Sequence, residues 1–347
     1  MHSAADAIRS AIADAGGAIP FERFMHLALY GEGGFYRSGG EAGRRGDFIT
    51  SPEVGPLFGA VLARMLDDTW RRLGEPDVFT VVDAGAGPGT LARTIRSAQP
   101  ACADAMDYVA VEVSERQREA HPDWVRSVAE MPAGPITGVI VANELLDNMA
   151  FRLFVNDQGW REAHVISRPD GTFAEILLVP TDLELLGLPE EVPHGARVPV
   201  QAAAATWVGG SVGCLSAGKV VVIDYAVGAT HQFASRPWRQ WLRTFRGHQR
   251  GDHYLAEPGS QDITVEVAID QLVAVAGQPA GVVSQRQFLE RWGIDGLVAE
   301  GQREWVEQAA RPTVAALAMR SRVRESEALM DASGLGSFSV VEFAAGG

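Results

Sequence analysis

The chain has 347 residues, of which 46% are hydrophobic and 21% charged, as in an ordinary globular protein. Its 44 acidic and 30 basic residues give a net charge of −14, which argues against a broad nucleic-acid-binding surface. There is no apolar run of the roughly 18 residues that a membrane span needs and no secretory signal pattern, so we expect a cytoplasmic protein without a membrane span. Cys102 and Cys214 are too few and too far apart for a metal site, and we expect no metal.

The N-terminal region combines predicted helices with a glycine-rich loop. Apolar residues recur at helical spacing from Ala4 to Ala15 and from Phe21 to Leu29. A longer helix is predicted from Val54 to Leu73, with Ser51 as its N-cap. The loop at residues 30–46 is too long for a simple connector, and long ordered loops are often functional.

Three alternate glycines follow an apolar segment at residues 78–84, which is predicted to be a buried parallel strand. Gly85, Gly87 and Gly89 permit a sharp turn and leave no Cβ in the way of a bound molecule. A helix is predicted directly after the turn, and its first N–H groups would face an anionic or polar part of a ligand. The carboxylate of Asp83 enters just ahead of this turn.

The spacing of these glycines distinguishes two classes of cofactor. A dinucleotide-binding loop would have its third glycine where this chain has Thr90, which makes an oxidoreductase a distant alternative. The pattern Asp-x-Gly-x-Gly-x-Gly instead resembles the loop with which class I methyltransferases hold S-adenosylmethionine. A purely structural turn and a different nucleotide site are the alternatives.

A second acidic residue follows at the distance that a nucleoside ligand requires. The strand predicted at Tyr108–Val111 is followed by Glu112, roughly 20 residues past the glycines, where a carboxylate can accept both hydroxyls of a ribose. The alternative is a solvated carboxylate at a strand end. We therefore assign Glu112, with Asp83 and the loop glycines, to cofactor binding.

A polar pentapeptide follows the fourth predicted strand. This strand, at residues 138–142, runs directly into Asn143–Asp147, with the sequence NELLD. Ligands of open parallel sheets bind beyond the carboxyl ends of the strands, so the pentapeptide borders the expected crevice. A third strand at residues 124–128 and a fifth at residues 219–224 complete the predicted parallel part of the sheet.

The remaining segments predict elaborations of this core. Three segments with alternating apolar residues follow residue 151 and are typical of antiparallel strands. A basic and aromatic segment near residues 229–260 favours a lid on the substrate side over a nucleic-acid surface, because the protein as a whole is acidic. We divide the chain into an N-terminal helical and glycine-rich loop region (1–75), the first half of the cofactor-binding core (76–150), an inserted β-rich and helical subdomain (151–215), and the second half of the core with its lid-like insertion (216–347).

Longer motifs resemble one family. Residues 46–53 (GDFITSPE), 143–147 (NELLD) and 258–264 (PGSQDIT) are similar to the MidA-type family of S-adenosylmethionine-dependent methyltransferases, and the resemblance covers nearly the whole chain in family order. It implies a class I, Rossmann-like α/β fold with a mostly parallel seven-stranded sheet and helices on both faces. It also implies a function, since the family's mitochondrial members methylate an arginine of a respiratory complex I subunit and assist assembly of that complex.

The same comparison supplies further candidate residues and one departure. The family usually has Ala-Leu-Pro where residues 148–150 are Asn-Met-Ala, and this run borders the expected acceptor site. The added candidates are Thr50 and Ser51 for the cofactor, and Asp47, Tyr36 and Asp262 for the substrate. His248, from the basic and aromatic segment, is a further substrate candidate.

The chemistry of methyl transfer suggests roles for the pentapeptide. Displacement at a sulfonium is in-line, so the protein must align donor and acceptor and exclude water. A guanidinium, with a pKa beyond roughly 12, is a poor nucleophile unless carboxylates orient it and take its proton. Our hypothesis is that Glu144 and Asp147 bind the acceptor and assist deprotonation, while Asn143 positions donor or acceptor. The alternative is that Glu144 is a helix-start acid and Asp147 a helix cap.

Three classes of function therefore remain. The first is a protein-arginine methyltransferase with a role like that of complex I assembly factors, whose partner would be a protein such as a respiratory complex subunit. The second is an O- or N-methyltransferase for a small molecule, which the changed run after Asp147 favours. The third is a non-catalytic assembly protein that keeps the cofactor fold. A homodimer is compatible with each of them.

Overall fold

A computed structural model describes residues 3–38, 50–247, 249–309 and 313–345 of the chain. Two predicted substrate residues, Asp47 and His248, lie outside the described residues. No helix in the described part combines the length and the apolar character that crossing a bilayer requires.

The described residues form helices and strands throughout. The helices are α1 Ala4–Asp14, α2 Phe21–Tyr30, α3 Phe35–Ser38, α4 Ser51–Val54, α5 Pro56–Arg72, α6 Thr90–Ser97, α7 Glu115–Arg118, α8 Ala202–Cys214, α9 His231–Ala234, α10 Ile269–Ala276, α11 Gln285–Arg291, α12 Ile294–Gln308 and α13 Val314–Leu329. The strands are β1 Ile19–Pro20, β2 Phe79–Ala84, β3 Met106–Val111, β4 Arg126–Val128, β5 Ile136–Asn143, β6 Arg152–Asn156, β7 Trp160–Ser167, β8 Phe173–Leu178, β9 Arg197–Val200, β10 Leu215–Asp224, β11 Ala226–Val227, β12 Leu242–Arg246, β13 Gln249–Arg250, β14 Asp262–Val265, β15 Val267–Ala268, β16 Gly281–Ser284 and β17 Ser339–Ala345. Short 3₁₀ helices lie at Ala101–Asp104, Leu146–Asn148, Leu183–Leu185, Trp238–Gln240 and Leu335–Ser337.

The main sheet has seven strands in the order β16-β17-β10-β5-β2-β3-β4. The five strands from β10 to β4 are parallel, whereas β17 is antiparallel to both of its neighbours. This arrangement confirms the predicted class I α/β fold with its mostly parallel seven-stranded sheet.

Helices cover both faces of this sheet because successive strand residues point to opposite sides. Val81 packs on the face covered by α5, α6, α11 and α12, and its neighbour Val82 packs on the face covered by α8 and α10. Both side chains are almost completely buried. Burial on both faces explains why the strands read as continuous apolar runs rather than as alternating ones.

A second hydrophobic core lies beside the main sheet. Four strands that follow residue 151 form an antiparallel sheet with β1 of the N-terminal region. The order is β1-β7-β6-β9, and β8 also pairs with β7. Phe21 and Phe24 of α2 pack in this core with Phe151. The N-terminal region therefore divides between two cores, since α5 packs on the main sheet. Our domain boundaries remain a prediction.

The helix predicted from Val54 to Leu73 is broken at Gly55, so Ser51 is the first residue of the separate helix α4 and not the N-cap of a long helix. Gly55–Pro56 explains the break locally, because proline has no N–H to continue the helix and restricts the residue before it. Glu325 of α13 caps the new helix, since its buried carboxylate accepts a hydrogen bond from the Leu57 N–H at 2.8 Å. The same carboxylate occupies the place that a Cβ on residue 55 would need. A side chain 268 positions away thus caps the start of α5.

Candidate active site

A cavity of about 900 Å³ opens at the carboxyl ends of β2, β3 and β5. Its walls come from the glycine turn, the ends of these strands, helix α2 and helix α8. The predicted residues that line it are Thr50, Tyr36, Asp83, Gly85, Gly87, Glu112, Asn143 and Glu144. Of the other described candidates, Ser51, Gly89, Asp147 and Asp262 lie behind this wall.

The glycine turn has the backbone geometry that its sequence predicts. Gly85, Gly87 and Gly89 have φ values of 74°, 54° and 79°, which L-residues with side chains rarely adopt. The N–H groups of Gly85 and Ala86 donate to the Val111 carbonyl at 2.9 and 3.0 Å, which ties the turn to β3. Helix α6 begins directly after it at Thr90.

Glu112 lies in the cavity wall and is held by backbone groups. One oxygen accepts a hydrogen bond from the Gly87 N–H at 3.0 Å and the other from the Ser114 N–H at 2.8 Å. A carboxylate oxygen has two acceptor positions, so each oxygen keeps one for a ligand hydroxyl. The contact with Gly87 joins the acidic residue to the glycine turn directly.

Asp83 lies beneath the turn and is almost completely buried. The Tyr108 hydroxyl donates to its Oδ2 at 3.0 Å. Burial raises the pKa of Asp83 from 3.8 to about 7, and the hydrogen bond from Tyr108 opposes this shift only in part. The carboxyl group is therefore close to half protonated near neutral pH.

His121 is a part of this site that the sequence did not reveal. Its Nε2 lies 2.8 Å from the Gly87 carbonyl and its Nδ1 lies 2.8 Å from the Ser127 hydroxyl. Its Cδ2 would lie 3.1 Å from a Cβ at Gly89, so this glycine also makes room for the imidazole. A single histidine in a polar loop carries no motif, and only the folded chain shows that it braces the turn.

Glu144 projects from the end of β5 in an unusual backbone conformation, with a φ of 53°. Its Oε1 accepts hydrogen bonds from the Ser51 N–H at 3.2 Å and from the Asn143 Nδ2 at 3.1 Å. Burial and the nearby Asp147 carboxylate raise the pKa of Glu144 from 4.5 to about 8. Asn143 also lines the cavity, and its Oδ1 is buried without a hydrogen-bond partner among the described residues.

Asp147 does not reach the cavity wall. Its Oδ2 accepts a hydrogen bond from the Thr264 hydroxyl at 2.7 Å, while its Oδ1 has no partner within the described part of the chain. The backbone of this segment is held by Asp224 rather than by Asp147. The Oδ2 of Asp224 accepts hydrogen bonds from the N–H groups of Leu146 and Asp147 at 3.0 and 3.2 Å. We hypothesised that Glu144 and Asp147 bind the acceptor together. Only Glu144 lies in the cavity wall, because Asp147 points into the protein.

Of the two cofactor-binding residues predicted from the GDFITSPE motif, only one lies in the cavity wall. Thr50 lines the cavity. The side chain of Ser51 is fully buried and donates to the Gln285 Oε1 at 2.9 Å, so its contribution to the site is its backbone N–H. The structure places Ser51 next to Glu144 rather than next to the glycine turn.

The segment at residues 229–260, for which we predicted a lid, packs away from the cavity wall in its described part. Its described residues do not line the cavity. Phe233 and Trp241 are instead fully buried in the second core, and Arg243 pairs with Glu266. The aromatic and basic composition that favoured a lid is explained by packing and by ion pairs inside the subdomain.

No group of three or more His, Cys, Asp or Glu residues within the described ranges is arranged to hold a metal ion.

The comparison with known families agrees with this geometry. Residues 61–288, more than half of the chain, match a family described as an S-adenosyl-L-methionine-dependent methyltransferase. The chain belongs to this family.

Relatives of this methyltransferase extend over most of its length. It is 28% identical over 304 residues to the mitochondrial protein arginine methyltransferase NDUFAF7 of Mus musculus, covering 76% of this chain and 67% of that protein. It is 26% identical to the NDUFAF7 homologue of Drosophila melanogaster, covering 79% and 71%. Among solved structures, a COG1565 superfamily member from Burkholderia thailandensis bound to S-adenosyl-homocysteine superposes with a TM-score of 0.84 at 29% identity, covering 99% of this chain and 92% of that one.

The residues around the cavity fit S-adenosylmethionine, the cofactor of this methyltransferase. Glu112 presents two acceptor oxygens for the ribose hydroxyls, and the turn from Gly85 to Gly87 brings backbone to the cavity wall without side chains. The orphaned Oδ1 of Asn143 adds a further acceptor for a donor group of a ligand. Ala129 and Met131 line the cavity beyond β4 with apolar atoms that suit a purine ring, while Glu130 between them is exposed.

Proposed function

We propose that this enzyme transfers a methyl group from S-adenosylmethionine to the guanidinium of an arginine in a protein substrate. The observation that carries the proposal is Glu144, a buried carboxyl group in the cavity wall with a raised pKa and two fixed hydrogen-bond donors. A buried carboxylate without a cationic partner gains strongly when a cation binds beside it. The relatives named protein arginine methyltransferases support the same acceptor.

The sulfonium of the cofactor supplies an electrophilic methyl group, and the protein must supply alignment and a place for one proton. Glu144 would accept an N–H of the guanidinium, orient the nitrogen that attacks, and hold the proton that the nitrogen loses. Its Oε2 is left for this contact, because both described donors bond to Oε1. The surrounding burial strengthens the interaction, since opposite charges attract more strongly away from bulk water.

A small-molecule acceptor is the second candidate. Asn148, Met149 and Ala150, the run that differs from the MidA-type family, all line the cavity. Their side chains would therefore contact the acceptor or its surroundings directly. Because these three residues differ from those of the MidA-type family, they favour an acceptor that differs from the arginine of that family.

An assay with labelled donor separates the two candidates. Purified enzyme and methyl-labelled S-adenosylmethionine would be added to an extract of a strain that lacks the gene. Label in a protein band, followed by intact-mass and fragment spectra that place the methyl group on arginine, is the expected result. Label confined to small molecules would exclude the protein substrate and support the second candidate.

Further parts of the proposal follow the resemblance described above. A respiratory complex subunit is the first protein substrate to test, and we also propose a cytoplasmic location and a homodimer. Fractionation of cells and light scattering of the purified enzyme test these two points.

A further inference from the structure

Two tyrosine rings form one part of the cavity wall, on the side of helix α2. Tyr30 ends α2 and Tyr36 lies in α3, and their rings stack with centroids 5.5 Å apart and planes 16° apart. Both side chains line the cavity. The pair therefore offers a ligand an aromatic surface of fixed orientation.

Hydrogen bonds fix both hydroxyl groups on the protein side. The Tyr36 hydroxyl donates to Oδ1 of Asp262 at 3.0 Å, and the Tyr30 hydroxyl donates to the Asn148 carbonyl at 3.2 Å. Asn148 completes the arrangement, because its Nδ2 donates to the same Asp262 Oδ1 at 3.0 Å and to the Ile263 carbonyl at 3.2 Å. Asp262 and Asn148 are both buried, so solvent does not compete for these bonds.

This arrangement makes the Tyr36 ring in particular attractive to a cation, because Tyr36 donates to a carboxyl group whereas Tyr30 donates to a backbone carbonyl. A phenol that donates to a carboxylate is polarised, and the added electron density on its ring strengthens attraction for a positive charge over the face. Asp262 and Asp147 lie close enough to act electrostatically on Tyr36. Arg23 and Arg37 also line the cavity, but they are exposed to solvent, which screens their charges.

Among the described residues, the arginines and lysines that contact aromatic rings do so away from this pair. Several arginines and one lysine lie over aromatic rings elsewhere, and within the described ranges none lies over Tyr30 or Tyr36. The rings pack on each other, and His26, which also lines the cavity, lies 5.9 Å from the Tyr30 ring. The aromatic wall thus carries no arginine or lysine from the described part of the chain.

We propose that the Tyr30–Tyr36 pair binds the planar cation of the methyl acceptor, and that Asn148 is a positioning residue that holds this pair through Asp262. The proposal rests on the proposed function for the identity of the acceptor, a guanidinium. A planar guanidinium stacks on an aromatic face and keeps its N–H groups free at the edge for a carboxylate. Recognition by the rings and proton removal by Glu144 are then two separate tasks.

Binding of a small probe tests this without turnover. Calorimetry of enzyme saturated with S-adenosyl-homocysteine would compare agmatine, which carries a guanidinium, with N-carbamoylputrescine, which has the same terminal ammonium but a neutral planar urea in place of the guanidinium. We expect the wild-type enzyme to bind agmatine about tenfold more tightly than the analogue, the effect of a partly desolvated cation–π contact. Tyr36→Leu should abolish this preference, and Tyr36→Phe, which keeps the ring, should retain part of it.

Asn148→Ala tests the positioning role. It should raise the KM for an arginine peptide several-fold while leaving kcat nearly unchanged, whereas a general loss of structure would lower kcat as well. Tyr254→Phe is the matched control, because Tyr254 donates to a carboxylate, that of Glu175, outside the cavity. An unchanged dissociation constant for S-adenosyl-homocysteine shows that each variant is folded.

The outcomes separate this inference from the proposed function. Agmatine preference that depends on Tyr36, with no arginine peptide methylated, would support the aromatic site and overturn the arginine acceptor. Arginine methylation with a KM unaffected by Tyr36→Leu would support the arginine acceptor and overturn the aromatic site. Equal binding of the two probes to the wild-type enzyme, or no agmatine binding, would overturn the aromatic site.

Discussion

The backbone N–H of Ser51 donates to Oε1 of Glu144 at 3.2 Å and joins two residues 93 positions apart. The Ser51 hydroxyl in turn donates to Gln285, whose Nε2 donates to the Leu329 carbonyl at 3.2 Å. Glu144 is therefore fixed by the N-terminal region, by β5 and, through Ser51, by α11 and the end of α13. Its position depends on the whole fold rather than on the pentapeptide alone.

Replacing Glu144 tests its chemical role. Glu144→Gln keeps the size of the side chain but removes its ability to take a proton, so we expect turnover to fall by about 100-fold or more. The dissociation constant for S-adenosylmethionine should change little. Glu130→Gln, an exposed carboxyl group outside the cavity wall, is the control and should keep full activity. Full turnover of Glu144→Gln would contradict the role.

The pH dependence of the reaction provides a second test. Because the pKa of Glu144 is raised to about 8 and the carboxylate is the active form, kcat/KM should rise with pH through about 8. A bound guanidinium favours the carboxylate, so the midpoint in kcat should lie lower than that in kcat/KM. Glu144→Gln should lose this rise. A pH-independent kcat/KM in the wild-type enzyme would argue against Glu144 as the base.

Glu112 should be required for cofactor affinity. Glu112→Gln removes the charge that accepts the Gly87 N–H and the ribose hydroxyls, and charge-assisted hydrogen bonds of this kind are worth about 1.5 to 3 kcal/mol. We therefore expect binding of S-adenosyl-homocysteine, measured by calorimetry, to weaken by roughly 10- to 100-fold. Asp107→Asn, on strand β3 that leads to Glu112 but exposed and paired with Arg126, should leave the affinity unchanged. Equal effects of both variants would refute the assignment.

Two glycine substitutions separate the role of the glycine turn in cofactor binding from the general cost of placing a side chain at a positive φ. Gly85→Ala forces a side chain into a φ of 74° and brings its Cβ to 3.1 Å from Leu145, which should cost roughly 1 to 2 kcal/mol and weaken cofactor binding. Gly277→Ala meets a similar φ of 82° with no atom within 4 Å, so it should lose comparable stability without loss of affinity. Thermal unfolding and calorimetry on both variants decide the question.

Asp83 should make the protein less stable as the pH rises. Its pKa is 3.8 ordinarily and about 7 when folded, so between these values the unfolded chain releases a proton that the folded chain retains. The free energy of unfolding therefore falls across this window and stays lower above it. Asp83→Asn should remove this loss and gain roughly 4 kcal/mol relative to the wild type at pH 8 but little at pH 4. Denaturant unfolding measures this, with exposed Asp107→Asn as the control.

Features that depend on neighbouring residues were predictable from the sequence. The apolar run into Asp83, the glycines and the start of a helix at Thr90 are local, and the structure has all of them. The positions of Glu112 and Asn143 at strand ends also followed, because the carboxyl ends of parallel strands meet at one edge of the sheet.

Features that depend on distant residues were not predictable. The cap on α5 requires Glu325, the brace on the glycine turn requires His121, and the placement of Asp262 behind Tyr36 requires two loops to meet. The orientation of Asp147 away from the cavity follows from Asp224 and Thr264. None of these contacts leaves a periodic or motif pattern near the residue concerned.

The order of the main sheet also constrains how the chain can be made. Strand β17 lies between β10 and β16, which precede it along the chain and do not pair with each other. During synthesis the sheet therefore has an open position until residues 339–345 leave the ribosome. A nonsense mutation shortly before β17 would leave β16 with no strand to join and expose an edge of β10, so such a product should be recognised by chaperones and proteases as incompletely folded.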